Sequence, residues 1–199
     1  MSEFKEFPKI ARFSRPIIIT EKIDGTNASI YIGEDGEFLT GSRSQWITPD
    51  KDNYGFSRWA HEHKEELLKL GIGHHFGEWW GQGIQRNYGL KEKRFSLFNV
   101  TRWCLSSEEQ KRIETADPRI EKYQERLPEL IGLVPTLYRG DFSTSAIDTE
   151  LLKLKTEGSK ASVGFMKPEG VVIYHPHGNY LFKKTIEKDE VPKSLVKST

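Results

Sequence analysis

At 199 residues, 36% of them hydrophobic and 12% aromatic, the chain can enclose one apolar core and reads as a single domain over residues 1–199. No apolar run is long enough to cross a bilayer, no apolar leader opens the chain, and Cys104 is the lone cysteine. That excludes a membrane span and a disulfide scaffold and points to an intracellular, cytoplasmic protein. A net charge of +1 argues against indiscriminate coating of nucleic acid, although 30 Lys and Arg leave room for one basic face.

Ile17-Ile18-Ile19 is a β-branched run that predicts a strand ending just before Lys22. Ala28, Ile30 and Ile32 alternate with Ser29 and Tyr31, the turn Gly33-Glu34-Asp35-Gly36 follows, and Glu37 to Thr40 returns as the second strand of a hairpin. Phe56, Trp59, Ala60, His63, Leu67 and Leu70 lie on one helical stripe that Gly71 is placed to end. Arg94 to Val100 predicts a strand. Ser106 and Glu109 have capping-box spacing, and Asp117-Pro118 fits an N-cap followed by proline. Ile147, Leu151 and Leu154 predict a further helix. Gly170–Tyr174 and Tyr180–Thr185 predict two closing strands. Strands and helices mix without regular βαβ alternation, so the expected class is α+β with mainly antiparallel sheets and flanking helices.

The chemistry centres on Glu21-Lys22-Ile23-Asp24-Gly25-Thr26-Asn27. A lysine after a buried strand, with an Asp-Gly turn behind it, places an amine at the mouth of a sheet. Such an amine becomes nucleophilic when its proton is lost through desolvation or nearby cations. Taken alone the motif is weak, because Asp-Gly is a common turn. Five further stretches follow it in order: Gly41-Ser42-Arg43-Ser44, Phe76-Gly77-Glu78-Trp79-Trp80-Gly81, Phe95 to Val100, Pro168 to Ile173, and Leu181 to Thr185. The planar fork of Arg43 suits a phosphate or ribose oxygen.

This ordered set resembles the covalent nucleotidyltransferase superfamily of ATP-dependent ligases and RNA capping enzymes. Thr26-Asn27 and Gly77-Glu78-Trp79-Trp80-Gly81 are most similar to its RNA-ligase branch. The resemblance spans Lys22 to Lys184 and implies a nucleotidyltransferase (ATP-grasp-like) ligase catalytic domain. It also implies ATP as cosubstrate, Mg²⁺ or Mn²⁺ as cofactor, and RNA as partner, with DNA or an RNA/DNA nick left open.

By that resemblance Lys22 attacks the α-phosphate of ATP to give lysyl-AMP, and Lys183 stabilises the transferring phosphate. Glu78 accepts from ribose hydroxyls and Phe98 stacks on adenine, with Phe95 the other candidate. Glu21, Ile23, Asn27 and Arg43 complete the nucleotide pocket. Glu169 binds the metal and Asp24 assists it or holds the turn. The family pattern has lysines two apart. Here Lys183 and Lys184 are adjacent and Thr185 takes the second place, so one lysine faces inward, and Lys183 is the choice.

His61-x-His63, His74-His75 and His175-x-His177 are not read as metal sites; the first pair is spaced wrongly to share a helix face. Trp46, Trp59 and Trp103 are expected in the core, with Trp79 or Trp80 lining the pocket. Gln82 to Tyr88 forms a polar loop at its edge, where Arg86 meets either phosphate or water. Fifteen residues follow Lys184, too few for the OB-fold domain of DNA ligases and capping enzymes. That favours the RNA-ligase branch, with an accessory protein or domain expected for end sealing. A DNA nick ligase, and a nucleotide- or RNA-binding module without ligase activity, stay open as alternatives.

Overall fold

The computed structural model describes residues 4–98, 127–187 and 189. The helix starts expected at Ser106-Glu109 and Asp117-Pro118, with Cys104, Trp103 and Asn99-Val100, lie outside them.

Among the described residues ten strands form two sheets. Strand β1 (Ile17–Lys22) leads into β2 (Thr26–Ile32), β3 (Phe38–Gly41) and the two-residue β4 (Trp46–Ile47). Helices α1 (Phe56–Glu62) and α2 (Lys64–Leu67) and a 3₁₀ turn (Leu68–Leu70) follow. Then come β5 (Gly73–Gly81), β6 (Lys93–Leu97), β7 (Ile131–Leu133) and β8 (Thr136–Gly140). Helix α3 (Thr144–Glu157), β9 (Gly170–His175) and β10 (Tyr180–Thr185) close the described chain. The smaller sheet has the order β10-β9-β1-β8 and the larger β4-β3-β2-β5-β6-β7. Every pairing is antiparallel except β6 with β7. The α+β class with mainly antiparallel sheets is what the chain adopts.

The expected elements recur with shifted bounds. Strand β1 runs through Lys22 rather than ending before it, because its backbone pairs with β9 as far as Gly170. The stripe from Phe56 to Leu70 is not one helix. The chain breaks at His63, which sits at φ −110°, ψ 19° with its ring Nδ1 bonded to the Trp59 carbonyl oxygen at 2.8 Å. The apolar stripe survives the break, since Phe56, Ala60, Leu67 and Leu70 are all buried. Gly71, at φ 79°, ends the segment as its composition suggested.

Three apolar layers fix the sheets. The first joins α1 and α2 to one face of the larger sheet through Ala28, Ile30, Phe56, Trp79 and Phe95. The second seats α3 on the smaller sheet through Ile17, Ile19, Leu154, Val171 and Ile173. Helix α3 is capped by Ser143, whose hydroxyl accepts from the Ala146 N–H at 3.3 Å, and ends at Gly158. The third fills the space beside the β1–β2 turn with Ile23, Trp80, Tyr88 and Val134, and half-buried Phe98 packs on it. The site lies where this third layer opens.

Trp46 departs from expectation. It is 52% exposed, since β4 is the edge of its sheet and nothing described covers its outer face. Trp59 is partly buried against the first layer.

Candidate active site

Strand alternation sorts the residues of β1 onto two faces. Ile17, Ile19 and Glu21 turn toward α3, and Ile18, Thr20 and Lys22 turn the other way. Lys22 is the last residue of β1 and Glu169 immediately precedes β9. Their side chains meet, with Lys22 Nζ 2.6 Å from Glu169 Oε2. Glu169 is 3% exposed and Lys22 21%, so the amine is the part of the pair that water or a ligand can reach. Gly170, beside the pair, lets β10 lie close against β9. Its φ is 155°, and a Cβ there would lie 2.7 Å from Thr185 Cα and against the Lys184 carbonyl oxygen.

Pairing across the smaller sheet sets the register of the last strand. Lys183 opposes Val172, which opposes Thr20; Lys184 opposes Val171, which opposes Glu21; Thr185 opposes Gly170, which opposes Lys22. Lys183 and Thr185 therefore share the face of Lys22. Lys183 is exposed there. Lys184 lies on the α3 face, where its Nζ reaches Asp148 Oδ1 at 2.6 Å.

The β1–β2 turn carries the site from one sheet to the other. Gly25 N–H donates to Glu78 Oε1 at 3.0 Å, and the Asn27 amide donates to Glu78 Oε2 at 3.2 Å. A side chain at Gly25 has no room, because a Cβ would sit 2.7 Å from Trp80 Cβ. Burial pushes the Glu78 carboxyl up to about 7, and the neighbouring Glu169 and Asp24 charges push the same way. The Gly25 N–H and the Lys22 charge oppose the rise. Glu78 is thus a carboxylate held in a half-dry pocket with its oxygens already oriented.

Asp24 does not face open solvent. Its Oδ2 accepts from Arg86 Nε at 3.0 Å, and Arg86 also donates to the Lys167 carbonyl oxygen at 3.1 Å. Arg86 is therefore a brace between the turn and the approach to β9. Glu21 points away from Lys22. Its buried carboxylate accepts from Ser159 Oγ at 2.6 Å and from the N–H groups of Lys160 and Ala161 at 2.8 and 2.9 Å. Burial raises its carboxyl above the ordinary value, against the pull of those three bonds. The side chain of Glu21 thus holds the segment after α3. Ile23 sits buried in the third layer.

Phe98 and Phe95 lie on opposite faces of their segment. Phe95 is fully buried, its ring 5.0 Å from that of Phe56. Phe98 is half-buried on the face that bears Glu78, and its N–H donates to the Phe76 carbonyl oxygen. Trp79 and Trp80 are both buried, with their indole N–H groups bonded to the Tyr54 carbonyl oxygen and to Ser96 Oγ. Arg43 is exposed in the turn between β3 and β4, and no hydrogen bond or ion pair holds it among the described residues.

Tyr88 was missed by sequence reasoning. Its hydroxyl accepts from the Asp24 N–H at 2.9 Å, so it fixes the turn beside Lys22. It is 1% exposed, and burial raises its phenol. Gln85, Asn87 and Tyr88 all have φ between 45° and 60°, a run of left-handed residues that stores strain next to the site. The cluster Asn87-Tyr88-Gly89 was the available signal, since Asn and Gly favour that region.

The RNA ligase family model matches residues 15–190. The chain belongs to the RNA ligase family. Solved structures of an RNA ligase from Naegleria gruberi share its fold. An apo lysine-to-alanine mutant matches with a TM-score of 0.57 at 22% identity, covering 85% of this chain and 49% of that one. A lysine-to-methionine mutant with AMP and Mn and a lysine-to-alanine mutant with ATP and Mn match with TM-scores of 0.56, at the same identity and coverage. This chain spans about half the length of those ligases. No curated protein matches it in sequence.

Among the described residues no three His, Cys, Asp or Glu side chains cluster as a metal cage. A single carboxylate supplemented by phosphate oxygens and water is the usual manner of holding Mg²⁺. Glu169, an oxygen donor beside Lys22, fits that pattern. No helix among the described residues is long and apolar enough to cross a membrane.

Proposed function

We propose that this chain is an ATP-dependent RNA ligase that carries AMP on Lys22 and uses it to join a 5′-phosphate to a 3′-hydroxyl. The observation that carries the reading is the Lys22–Glu169 pair at 2.6 Å, facing Lys183 on one side and Glu78 on the other. Family membership and the Naegleria structures with ATP, AMP and Mn support ATP and a divalent metal as its cosubstrate and cofactor.

In the first step Lys22 Nζ, reached by water, gives up a proton to solvent and forms a bond to the α-phosphorus. The α–β bridging bond breaks and pyrophosphate leaves. Glu169 holds the amine in place until the nucleotide arrives. Glu169 would hold a divalent cation, which would neutralise phosphate charge. Lys183, on the same sheet face as Lys22, stabilises negative charge on the α-phosphate oxygens. Glu78 receives the ribose hydroxyls, oriented by Gly25 and Asn27. Phe98 offers a flat face to adenine, with Ile23 packed beneath it. Asp24 keeps the turn closed through Arg86 and assists metal binding at one remove. The backbone of Glu21 flanks the pocket while its side chain anchors the neighbouring segment. Arg43 contacts phosphate from the β3–β4 turn.

In the second step a 5′-phosphate oxygen of RNA attacks the AMP phosphorus, and the bond to Lys22 breaks. In the third a 3′-hydroxyl attacks the activated 5′-phosphate and AMP leaves. The single domain over residues 1–199 would perform the first step, with an accessory protein or domain assisting the later ones. The test is to label the chain with α-³²P ATP and Mn²⁺, remove free nucleotide, and chase with nicked RNA, nicked DNA and single-stranded RNA. Discharge of label by RNA with the appearance of joined product supports the reading. Discharge by nicked DNA alone would move it to the DNA-ligase alternative. A chain that binds ATP without ever becoming labelled would be a binding module.

A further inference from the structure

Four rings cluster on one face of the larger sheet. His74 is parallel to Phe76 within 6° at 5.5 Å, 4.6 Å from Tyr31, and stacked on Trp46 at 6.0 Å and 20°. The face is settled by register. Asn27 opposes Glu78, Ser29 opposes Phe76 and Tyr31 opposes His74, so these six residues share one side of the sheet. Gly41, paired with Trp46, leaves that indole room to lie on the sheet, since a Cβ there would come 3.3 Å from Trp46 Cε3.

Burial changes in steps along β5 on this face. Trp80 is buried, Glu78 is half-buried, and Phe76 and His74 are exposed, Phe76 at 45%. Phe98, beside Phe76, stands where the buried part meets the open part. The open rings therefore continue the candidate active site outward. A cation flanks these rings on the side of Asn27: Arg43, exposed in the turn that follows Gly41 and leads into Trp46.

We propose that Phe76, His74, Tyr31 and Trp46 form a stacking platform for the bases of a single-stranded RNA segment, with Arg43 receiving its backbone phosphate. The choice of an RNA strand as occupant rests on the ligase reading above. A cluster of stacked rings whose outer members, Phe76 and Trp46, are about half exposed, with a cation beside it, is what a polynucleotide strand recognises without regard to base sequence. Continuity with the Glu78 pocket sets the direction of the strand, from the reacting end over Phe98 toward Trp46.

The test measures anisotropy of a fluorescein-labelled single-stranded oligoribonucleotide on the full chain, with an abasic strand of equal length as control. Trp46→Ala and Phe76→Ala should each raise Kd by roughly five- to a hundredfold, the usual range for one lost stacking partner. Trp46→Phe should stay within a few-fold of wild type. The abasic strand should bind wild type about as weakly as the alanine variants bind normal RNA. Equal affinity of wild type and alanine variants, or of abasic and normal strands, overturns the platform. So does a dimer in sedimentation that Trp46→Ala dissociates while RNA affinity is unchanged, which would make the face a contact between copies.

Should an alanine variant melt early, quenching carries the test. RNA should quench the tryptophan emission of wild type more than that of Trp46→Phe, and equal quenching overturns the proposal. Labelling of the same wild-type preparation by α-³²P ATP separates the two readings. Ring-dependent binding without label keeps the platform and removes the ligase. Label with ring-independent binding does the reverse.

Discussion

The two sheets hold their site residues in different ways. On the smaller sheet Lys22 and Lys183 stand on strand faces open to solvent, and the one tight contact is an ion pair with buried Glu169. On the larger sheet Glu78 is bound by Gly25 and Asn27, in a pocket floored by Trp80. The first arrangement suits groups that must change partner or protonation during a reaction. The second suits a group that must stay still and be complementary to one ligand. The division teaches that recognition can be prearranged on one sheet while the reacting charges stand, less tightly bound, on the other.

The largest expected effect separates the two directly. Lys22→Ala should abolish covalent labelling by ATP, while equilibrium binding of a fluorescent ATP analogue persists through the larger sheet. Loss of both would mean that the sheets do not divide the work. Next, Lys183→Ala should slow single-turnover adenylylation on the order of a hundredfold, the cost of one lost charge at a transferring phosphate. Lys184→Ala should change it little, since its partner Asp148 lies on the α3 face and both groups are exposed. Circular dichroism should show both variants folded. A severe loss only at Lys184 would break the register argument.

Gly25→Ala tests the larger sheet. Its Cβ would press on Trp80 and Glu78, so the chain should lose about 1–3 kcal/mol in urea unfolding. ATP should bind more weakly as Glu78 is displaced. Unchanged stability would mean the turn has slack that the packing does not suggest.

The smallest effect is electrostatic. The Glu78 carboxyl titrates near 7 when folded and near 4.5 when unfolded. Between those values the folded chain holds a proton that the unfolded chain has lost. Stability contributed by this group therefore falls as pH rises through that window and is level above it. The full difference is about 3 kcal/mol at most. Glu78→Gln should flatten that part of the curve, read as the difference between unfolding free energies at pH 5 and pH 8. A curve of the same slope in both proteins would show that Glu78 is not held as described.

Much of this was legible in local sequence. The run Ile17 to Ile19 predicts β1, the alternation from Ala28 to Ile32 predicts β2, and Gly170 to Tyr174 predicts β9, because each pattern is set within a few residues. The residues brought together, Lys22 with Glu169 and Asn27 with Glu78, were nameable from motif order, though their contacts span 147 and 51 residues. What could not be read depends on tertiary placement. The side chain of Glu21 serves a segment 138 residues away. The exposure of Trp46 follows from its strand being an edge, which composition does not reveal. Tyr88 acts through a hydroxyl on a residue that looks apolar in a periodicity count. The break at His63 falls inside an unbroken apolar stripe, which periodicity does not reveal.

The central claim is that Lys22 is the atom-bearing residue of the reaction. Incubation of the wild-type chain with ATP and Mn²⁺, followed by proteolysis and mass spectrometry of the AMP-bearing peptide, tests it most directly. The account predicts a phosphoramidate on Lys22, with no adduct at Lys183 or Lys184. An adduct on another residue, or none under conditions in which ATP is bound, would contradict it.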